Sequence, residues 1–233
     1  MILNKIRKEL KDNIDIKYKN GTNSFFKEKI KIYGVRSPIV RKIANKYFKE
    51  TKELEKKEIF NLCEELLKTN YNEEATIAFS WCHKIKNEYE KEDFKIFESW
   101  VKKYLTNWAM VDDFCTHSVG FLVNKYPGLI NKLKEWTKSD NIWVRRASAV
   151  TLIYSVKRKK HLDKSFVISD LLLLDKENLV QKGYGWLLKE AANNYQKEVF
   201  DYVLKNKDKM PRTALRYAVE KMPRELKLKA MIR

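Results

Sequence analysis

The sequence predicts an all-α fold built from stacked pairs of antiparallel helices. Apolar residues recur at three- and four-residue steps along almost the whole chain, as in EIFNLCEELLKTN and VFDYVLKN, which is the spacing of one helix face. Only six glycines and four prolines interrupt the 233 residues, so the helical patterns are rarely broken. A third observation, the regular recurrence of helix pairs, predicts how these helices are arranged.

The second helix of each apparent pair lies near one of six positions, which are Arg41, Ala75, Asp112, Arg146, Tyr184 and Arg216. The steps between these positions are 34, 37, 34, 38 and 32 residues. Helix pairs recurring at that period are typical of a solenoid of the HEAT or armadillo kind. We therefore predict a single repeat domain over residues 1–233, with about six HEAT-like helix pairs whose equivalent helices line one concave face.

The patterning also predicts which residues are buried. The run 171–174 in FVISDLLLLDKENLV is the one stretch that resembles a strand, but it is short and lies between helical patterns, so we interpret it as a buried helix. Packing is assigned to three tryptophans, Trp81, Trp100 and Trp136. Three cysteines, Cys63, Cys82 and Cys115, lie in apolar helical stretches, which suits reduced core thiols rather than a disulfide framework.

The chain is strongly basic. Lys and Arg number 49 against 31 Asp and Glu, a net charge of +18, which predicts a polyanionic partner, with nucleic acid ahead of a membrane. The first residues, MILNKIRKELKDN, are charged throughout and contain no apolar run long enough for a signal peptide or a membrane span. We expect a cytoplasmic monomer that has no membrane partner and is associated with the nucleoid when bound to DNA.

The predicted second helices carry many of these cations, with aromatic residues between them. NIWVRRASAV places Trp143, Arg145 and Arg146 at the start of one helix, with Asn141 or Asp140 as its cap. Further candidates for DNA contacts on the other second helices are Lys182, Arg212, Arg216 and Arg41. On a concave face, such cations would pair with the phosphates of a duplex.

An arginine at the start of a repeat helix has a structural alternative, because it can brace the neighbouring repeat. Arg145 and Arg146 are adjacent, so their side chains point about 100° apart and at most one of them is expected to enter a site. The sequence leaves both roles open for this pair.

The sequence lacks the motifs that are typical of metal sites, nucleotide-binding sites and common hydrolases. His83 follows Cys82 and His117 lies two residues after Cys115, but two isolated Cys/His pairs do not give the four-ligand spacing of structural zinc, so no metal is expected. The chain has no GxxxxGK[ST] or GxGxxG for a nucleotide and no GxSxG or HExxH for hydrolysis. No cofactor is expected.

The stretch TNWAMVDDFC places Trp108 and Asp112 four residues apart, and therefore on one face of a helix. A carboxylate beside an aromatic ring can be an ordinary surface pair, or it can stabilise a positive charge that develops during a reaction. Asp113 is the alternative carboxylate, although its position on the helix suits a surface or capping group better.

Three short motifs in this order resemble those of the AlkD-like DNA alkylation repair glycosylases. They are W-x-x-x-D at Trp108 and Asp112, W-x-x-R at Trp143 and Arg146, and GW at Gly185 and Trp186 followed by LLKE. The similarity runs from about FFKEKIKIYGVRSP to ALRYAVEKMP. The resemblance implies HEAT-like helix pairs that form a basic C-shaped cradle for double-stranded DNA containing alkylated purines. It also implies a hydrolase of base excision repair that excises 3-methyladenine and 7-methylguanine without flipping the base.

The resemblance further implies roles for single residues. Asp112 would stabilise the charged sugar, Trp108 and Trp186 would hold the deoxyribose and backbone, and Arg146 would contact a phosphate beside the lesion. The sequence departs from the family pattern in the first repeats, where Phe25 or Phe26 stands in place of a tyrosine. Because some relatives of this fold bind DNA without glycosylase activity, a non-catalytic protein that binds distorted or branched DNA is the alternative. A protein-binding scaffold would leave the net charge of +18 unexplained.

Overall fold

The computed structural model describes residues 2–232. Its helices fall into two compact units, one ending at Phe114 and the other beginning at Cys115. Over the described residues no strand forms, and the one sheet-like feature is an isolated bridge between Lys31 and Tyr71. The prediction of an all-α fold is confirmed. The single repeat domain over residues 1–233 stays a prediction.

The first unit contains helices α1 to α7. Their bounds are α1 Ile2–Asp12, α2 Ile16–Phe25, α3 Ser37–Phe48, α4 Lys56–Leu67, α5 Asn72–Lys84, α6 Phe94–Lys103 and α7 Trp108–Phe114. Helix α4 packs along α5, and α5 also contacts α3 on one side and α7 on the other. Helices α3, α5 and α7 therefore form a continuous row within this unit.

The second unit begins with a π-helical turn, Cys115–Val119, and contains helices α8 to α16. Their bounds are α8 Gly120–Lys125, α9 Ile130–Trp136, α10 Ile142–Val150, α11 Ile153–Val156, α12 Leu162–Leu171, α13 Asn178–Ala192, α14 Gln196–Asn206, α15 Arg212–Ala218 and α16 Arg224–Met231. Helix α13 packs against α10 and α15, so these three form the equivalent row of the second unit.

All six positions that mark the sequence period lie on helices of these two rows. Arg41, Ala75 and Asp112 lie on α3, α5 and α7, and the other three lie on α10, α13 and α15. Within each unit, a step of one period leads from one helix to the helix packed against it. Within each unit, the period therefore corresponds to the packing of one second helix on the next.

The core contains the residues that the patterning predicts, with one correction. Three tryptophans, Trp81, Trp100 and Trp136, are at most 2% exposed, and the three cysteines are buried and free of disulfides. The interpretation of residues 171–174 as a buried helix is wrong in part. Helix α12 ends at Leu171, and only Leu172 and Leu173 are buried, whereas Leu171 and Leu174 are 48% and 71% exposed. The chain turns here, so successive leucines point in different directions.

A buried glutamate fixes the segment that precedes α3. Glu73 lies in the first turn of α5, where Oε1 accepts hydrogen bonds from the backbone N–H groups of Gly34 (2.8 Å) and Val35 (3.1 Å). Its Oε2 accepts a third from the N–H of Tyr33, at 3.1 Å. Gly34 has φ +98°, a left-handed conformation that glycine adopts without strain. The carboxylate thus satisfies three consecutive buried donors.

Replacing Glu73 with alanine should lower the free energy of unfolding by about 3 kcal/mol, because the three donors would remain buried without an acceptor. Denaturant unfolding measures this change. Glu65→Ala is the matched control, since Glu65 is exposed and pairs only with Lys68 three residues away; its effect should stay below about 0.5 kcal/mol. Equal stabilities for the two variants would contradict the role of Glu73.

Candidate functional site

Two asparagines fix the start of α7, where the candidate site begins. The side chain of Asn107 is 1% exposed, and its Oδ1 accepts from the N–H of Met110 at 3.1 Å, which is an N-terminal cap. Its Nδ2 donates to Oδ1 of Asn72 at 2.9 Å, at the start of α5. The N-termini of α5 and α7 are therefore tied together, and Trp108 follows directly as the first residue of α7.

Trp108 belongs to an aromatic cluster with Phe25 and Phe26. Its ring is stacked on Phe26, with 5.1 Å between ring centroids and 15° between planes. Phe25 contacts the same indole edge-on at 6.1 Å and is itself 71% exposed. The two phenylalanines that replace the expected tyrosine therefore lie against Trp108, where they provide stacking but no hydroxyl group.

Asp112 lies one turn after Trp108, on the face of α7 that is turned away from the core. The buried face of α7 comprises Met110, Val111 and Phe114, and Phe114 stacks on Phe79 of α5 at 4.8 Å. Trp108 and Asp112 are half-buried. Helix packing therefore fixes the backbone of Asp112, and the residue is partly exposed to solvent.

The π-helical turn Cys115–Val119 follows α7 directly, and the sequence analysis did not predict it. Such turns insert one residue into a helix and often occur near functional sites. Gly120, the first residue of α8, lies close to α11, since an added Cβ would lie 2.5 Å from Cβ of Tyr154. No residue type in CTHSV distinguishes this turn from an ordinary helix, so the sequence contains no pattern that could have located it.

In the second unit, α10 begins as predicted. Oδ1 of Asn141 accepts from the N–H of Trp143 at 2.9 Å, so Asn141 is the cap and Asp140 is not. Trp143 is half-buried at the second position of the helix. The sequence identified this start because a capping residue precedes an apolar periodic stretch.

Arg145 braces the segment that leads into α13. Its Nε donates to Oδ2 of Asp175 at 2.7 Å, and its Nη1 donates to the carbonyl oxygens of Ser139 and Asp140 at 2.8 and 3.0 Å. Asp175 is largely buried and also accepts from the N–H of Glu177. These contacts correspond to the bracing alternative that the sequence left open, and the contact of Arg145 with DNA stays a prediction.

Arg146 lies in the contact between α10 and α13. It is only 5% exposed, and its Nη1 donates to the carbonyl oxygen of Leu179. An added Cβ on Gly183 would lie 3.2 Å from Cγ of Arg146, so the small residue at that position makes room for the arginine. The predicted phosphate contact of Arg146 stays a prediction.

The Gly185–Trp186 pair has a clear structural basis. An added Cβ on Gly185 would lie 2.7 Å from Cβ of Tyr217 and 2.9 Å from the carbonyl oxygen of Ala214, so only glycine allows α13 and α15 to approach this closely. Trp186 is half-buried, and its indole Nε1 donates to Oε1 of Glu190 at 3.2 Å. The sequence analysis did not single out Glu190.

Helices α13, α15 and α16 surround a cleft with a volume of about 560 Å³. Three of its cations, Lys182, Arg216 and Lys227, have no ion-pair partner among the residues that the structure describes, whereas Glu220 pairs with Lys189. Unpaired cations that share a cleft attract an anion such as a phosphate. The structure thus brings together two of the predicted DNA contacts, Lys182 and Arg216.

Two further predicted contacts, Arg212 and Arg41, are not among the residues that line this cleft. Arg212 is exposed, and its Nη1 donates to the carbonyl oxygen of Met231 at the end of α16, at 2.9 Å. Arg41 is exposed on α3 in the first unit. Their contacts with DNA stay predictions.

Within residues 2–232, no three His, Cys, Asp or Glu side chains are grouped closely enough to hold a metal ion. Among the helices of the same residues, none is sufficiently long and apolar to cross a bilayer.

Comparison with known proteins identifies the family. The profile of a family described as DNA alkylation repair enzyme matches residues 6–222, nearly the whole chain. The chain belongs to the DNA alkylation repair enzyme family. This assignment confirms the resemblance found in the sequence, and it implies a role in DNA alkylation repair with DNA as the substrate.

The fold is also that of a solved structure. The chain is similar to a predicted DNA alkylation repair enzyme from Enterococcus faecalis, with a TM-score of 0.81 over 91% of this chain and 98% of that one. The two sequences are only 15% identical, so this likeness concerns the fold alone. No curated protein matches the sequence of this family member.

The contacts of Arg145 yield a test of its role. Arg145→Ala should lower the free energy of unfolding by about 2 kcal/mol, because the largely buried Asp175 would lose its charged partner. Thermal and denaturant unfolding measure this loss. The salt dependence of DNA binding should stay unchanged, and a shallower salt dependence with full stability would instead assign Arg145 to DNA.

Proposed function

We propose that this member of the DNA alkylation repair enzyme family is a monofunctional DNA glycosylase. It excises positively charged alkylpurines, chiefly 3-methyladenine and 7-methylguanine, from duplex DNA. The observation that carries this proposal is the arrangement on α7, where the half-buried Asp112 lies one turn after Trp108, whose ring is stacked on Phe26. A half-buried carboxylate one helical turn from an aromatic ring suits a cationic sugar.

The chemistry of the substrate explains why so few residues suffice. Alkylation at N3 or N7 gives the purine a full positive charge, so the base departs as a neutral molecule and needs no general acid. The remaining demand falls on the deoxyribose, because C1′ and the ring oxygen gain oxocarbenium character as the glycosidic bond stretches. A nearby carboxylate stabilises that charge more strongly in the transition state than in the ground state, and this difference accelerates the reaction.

Each proposed residue then has a distinct role. Asp112 stabilises the developing charge and orients the water that attacks C1′. Trp108 and Trp186 hold the deoxyribose and backbone at the lesion, and their indoles offer electron-rich faces to the cationic sugar. The damaged base remains stacked in the duplex, which differs from the extrusion used by most enzymes that modify a base.

The distribution of charge supports binding of duplex DNA. The net charge of +18 supplies a strong, sequence-independent attraction to phosphates. In the second unit, Lys182 and Arg216 lie in the cleft between α13, α15 and α16 without ion-pair partners among residues 2–232. We assign them to phosphate contacts.

The proposed catalytic role of Asp112 is tested by measuring the release of free bases from methylated duplex DNA. Asp112→Asn should abolish release of 7-methylguanine and 3-methyladenine, because the neutral amide no longer stabilises the charged sugar. DNA affinity should be unchanged or slightly higher, since a negative charge facing phosphates is removed. Chromatography of the released bases and a binding titration give both quantities.

Asp113→Asn is the matched control, because it makes the same chemical change at the next residue of α7 and should retain activity. Equal release by the wild type and Asp112→Asn would remove Asp112 from its role. Absence of release from the wild type, with tight DNA binding, would instead support the non-catalytic DNA-binding alternative.

The phosphate contacts are tested by the salt dependence of binding. Arg216→Ala should weaken binding to duplex DNA and reduce the slope of log K against log salt by about one, the value expected for one lost phosphate contact. Lys197→Ala is the control, because Lys197 is an exposed cation on α14, outside the α10, α13 and α15 row. Identical slopes for both variants would place the phosphates elsewhere.

A further inference from the structure

A buried carboxylate lies one helical turn after Trp186. Glu190 is 7% exposed. Its Oε1 accepts from the indole Nε1 of Trp186 and from Nζ of Lys221, both at 3.2 Å. Its Oε2 accepts from Nδ2 of Asn193 at 3.3 Å and forms an ion pair with Nζ of Lys157 at 3.5 Å. Three elements of the second unit therefore meet at one side chain.

We propose that Glu190 is a positioning residue for base release, which holds the indole of Trp186 in the orientation needed against the deoxyribose. This inference rests on the proposed function, in which Trp186 contacts the sugar. Glu190 itself does not touch the substrate. Its influence passes through the hydrogen bond that it accepts from the indole.

The polar partners of the Glu190 carboxylate indicate that this residue positions Trp186 and does not take part in the reaction directly. An ionised carboxylate offers about four lone-pair sites, and Glu190 has four polar partners. Because two lysines already pair with this carboxylate, its negative charge is balanced within the protein. The spacing of four residues between a tryptophan and an acid occurs in α7 and again in α13, where the acid is paired with two lysines.

Two lysines keep this buried group charged. Burial raises the pKa of Glu190, but the hydrogen bond from Lys221 and the charges of Lys157 and Lys221 outweigh that effect, so the pKa lies below its usual value. The side chain is therefore ionised at neutral pH. A hydrogen bond from the indole to an ionised oxygen is stronger and more directional than one to a neutral acceptor.

The network also anchors the indole to neighbouring elements. Lys157 follows α11 and Lys221 follows α15, so Glu190 links the Trp186 ring to the chain on both sides of α13. A tryptophan anchored only by its backbone could rotate about its side-chain torsions. With the N–H fixed on a carboxylate that is itself held by two cations, such rotation would break a charged hydrogen bond.

The first experiment is a double-mutant cycle on single-turnover base release. Glu190→Ala should slow release about tenfold through a lower maximal rate, with DNA affinity changed less than about twofold, since misplacement of a substrate-contacting group acts mainly on the rate. Glu190→Gln keeps an amide oxygen that can accept the indole N–H and should recover most of the rate. In a Trp186→Phe background, Glu190→Ala should have no further effect.

A full additional rate loss in the Trp186→Phe background would overturn the inference, because Glu190 would then act independently of the indole. The second experiment does not require glycosylase activity. Fluorine NMR of protein containing 5-fluorotryptophan resolves Trp186, assigned by its absence in Trp186→Phe. Its resonance should shift or broaden in Glu190→Ala and stay close to the wild type in Glu190→Gln.

An unchanged Trp186 resonance in Glu190→Ala would overturn the positioning role even if the enzyme is active. Conversely, a shifted resonance in a protein that releases no base would support the contact between Glu190 and Trp186 while refuting the proposed glycosylase. The two experiments therefore distinguish failure of the positioning role of Glu190 from failure of the proposed glycosylase activity. Circular dichroism of both variants confirms that they are folded before either experiment.

Discussion

The close approach of α13 to both of its neighbours is the constraint on which the second unit depends. Gly183 leaves room for Arg146 and Val150 of α10, and Gly185 leaves room for Tyr217 and Ala214 of α15. A glycine inside a helix costs about 1 kcal/mol relative to alanine, so two such residues imply that tight packing offsets the loss. Because residues two apart point to nearly opposite sides, each glycine serves a different neighbour.

Hydrogen bonds between the N-termini of neighbouring helices also fix how these helices are placed against each other. Nδ2 of Asn107 reaches Asn72 in the first unit, and Nδ2 of Asn178 reaches Oγ1 of Thr213 in the second, each across 35 residues. Apolar packing alone allows neighbouring helices to slide, whereas a hydrogen bond between their N-termini fixes their relative height. The aromatic and charged residues that begin these helices therefore lie at defined heights along each row.

The sequence predicts the helices and the start of α10 well, because apolar periodicity and capping residues are local patterns. It also places Phe25 or Phe26 at the candidate site, and both contact Trp108. It does not reveal the partner of Arg145, because Asp175 lies 30 residues away in another repeat. Glu190 ends the LLKE stretch that the sequence analysis quotes, but it received no role there, because its partners Lys157 and Lys221 lie in other repeats.

The two candidate tryptophans are held by forces of different physical character. Trp108 is held by ring contacts with Phe25 and Phe26, which ionic strength hardly affects. The anchor of Trp186 includes two lysines whose side chains are about half exposed, so dissolved ions compete for them. Concentrated salt would therefore loosen one indole and leave the other in place, quite apart from its effect on phosphate contacts. For this protein, ionic strength acts on the mobility of a single aromatic side chain as well as on affinity.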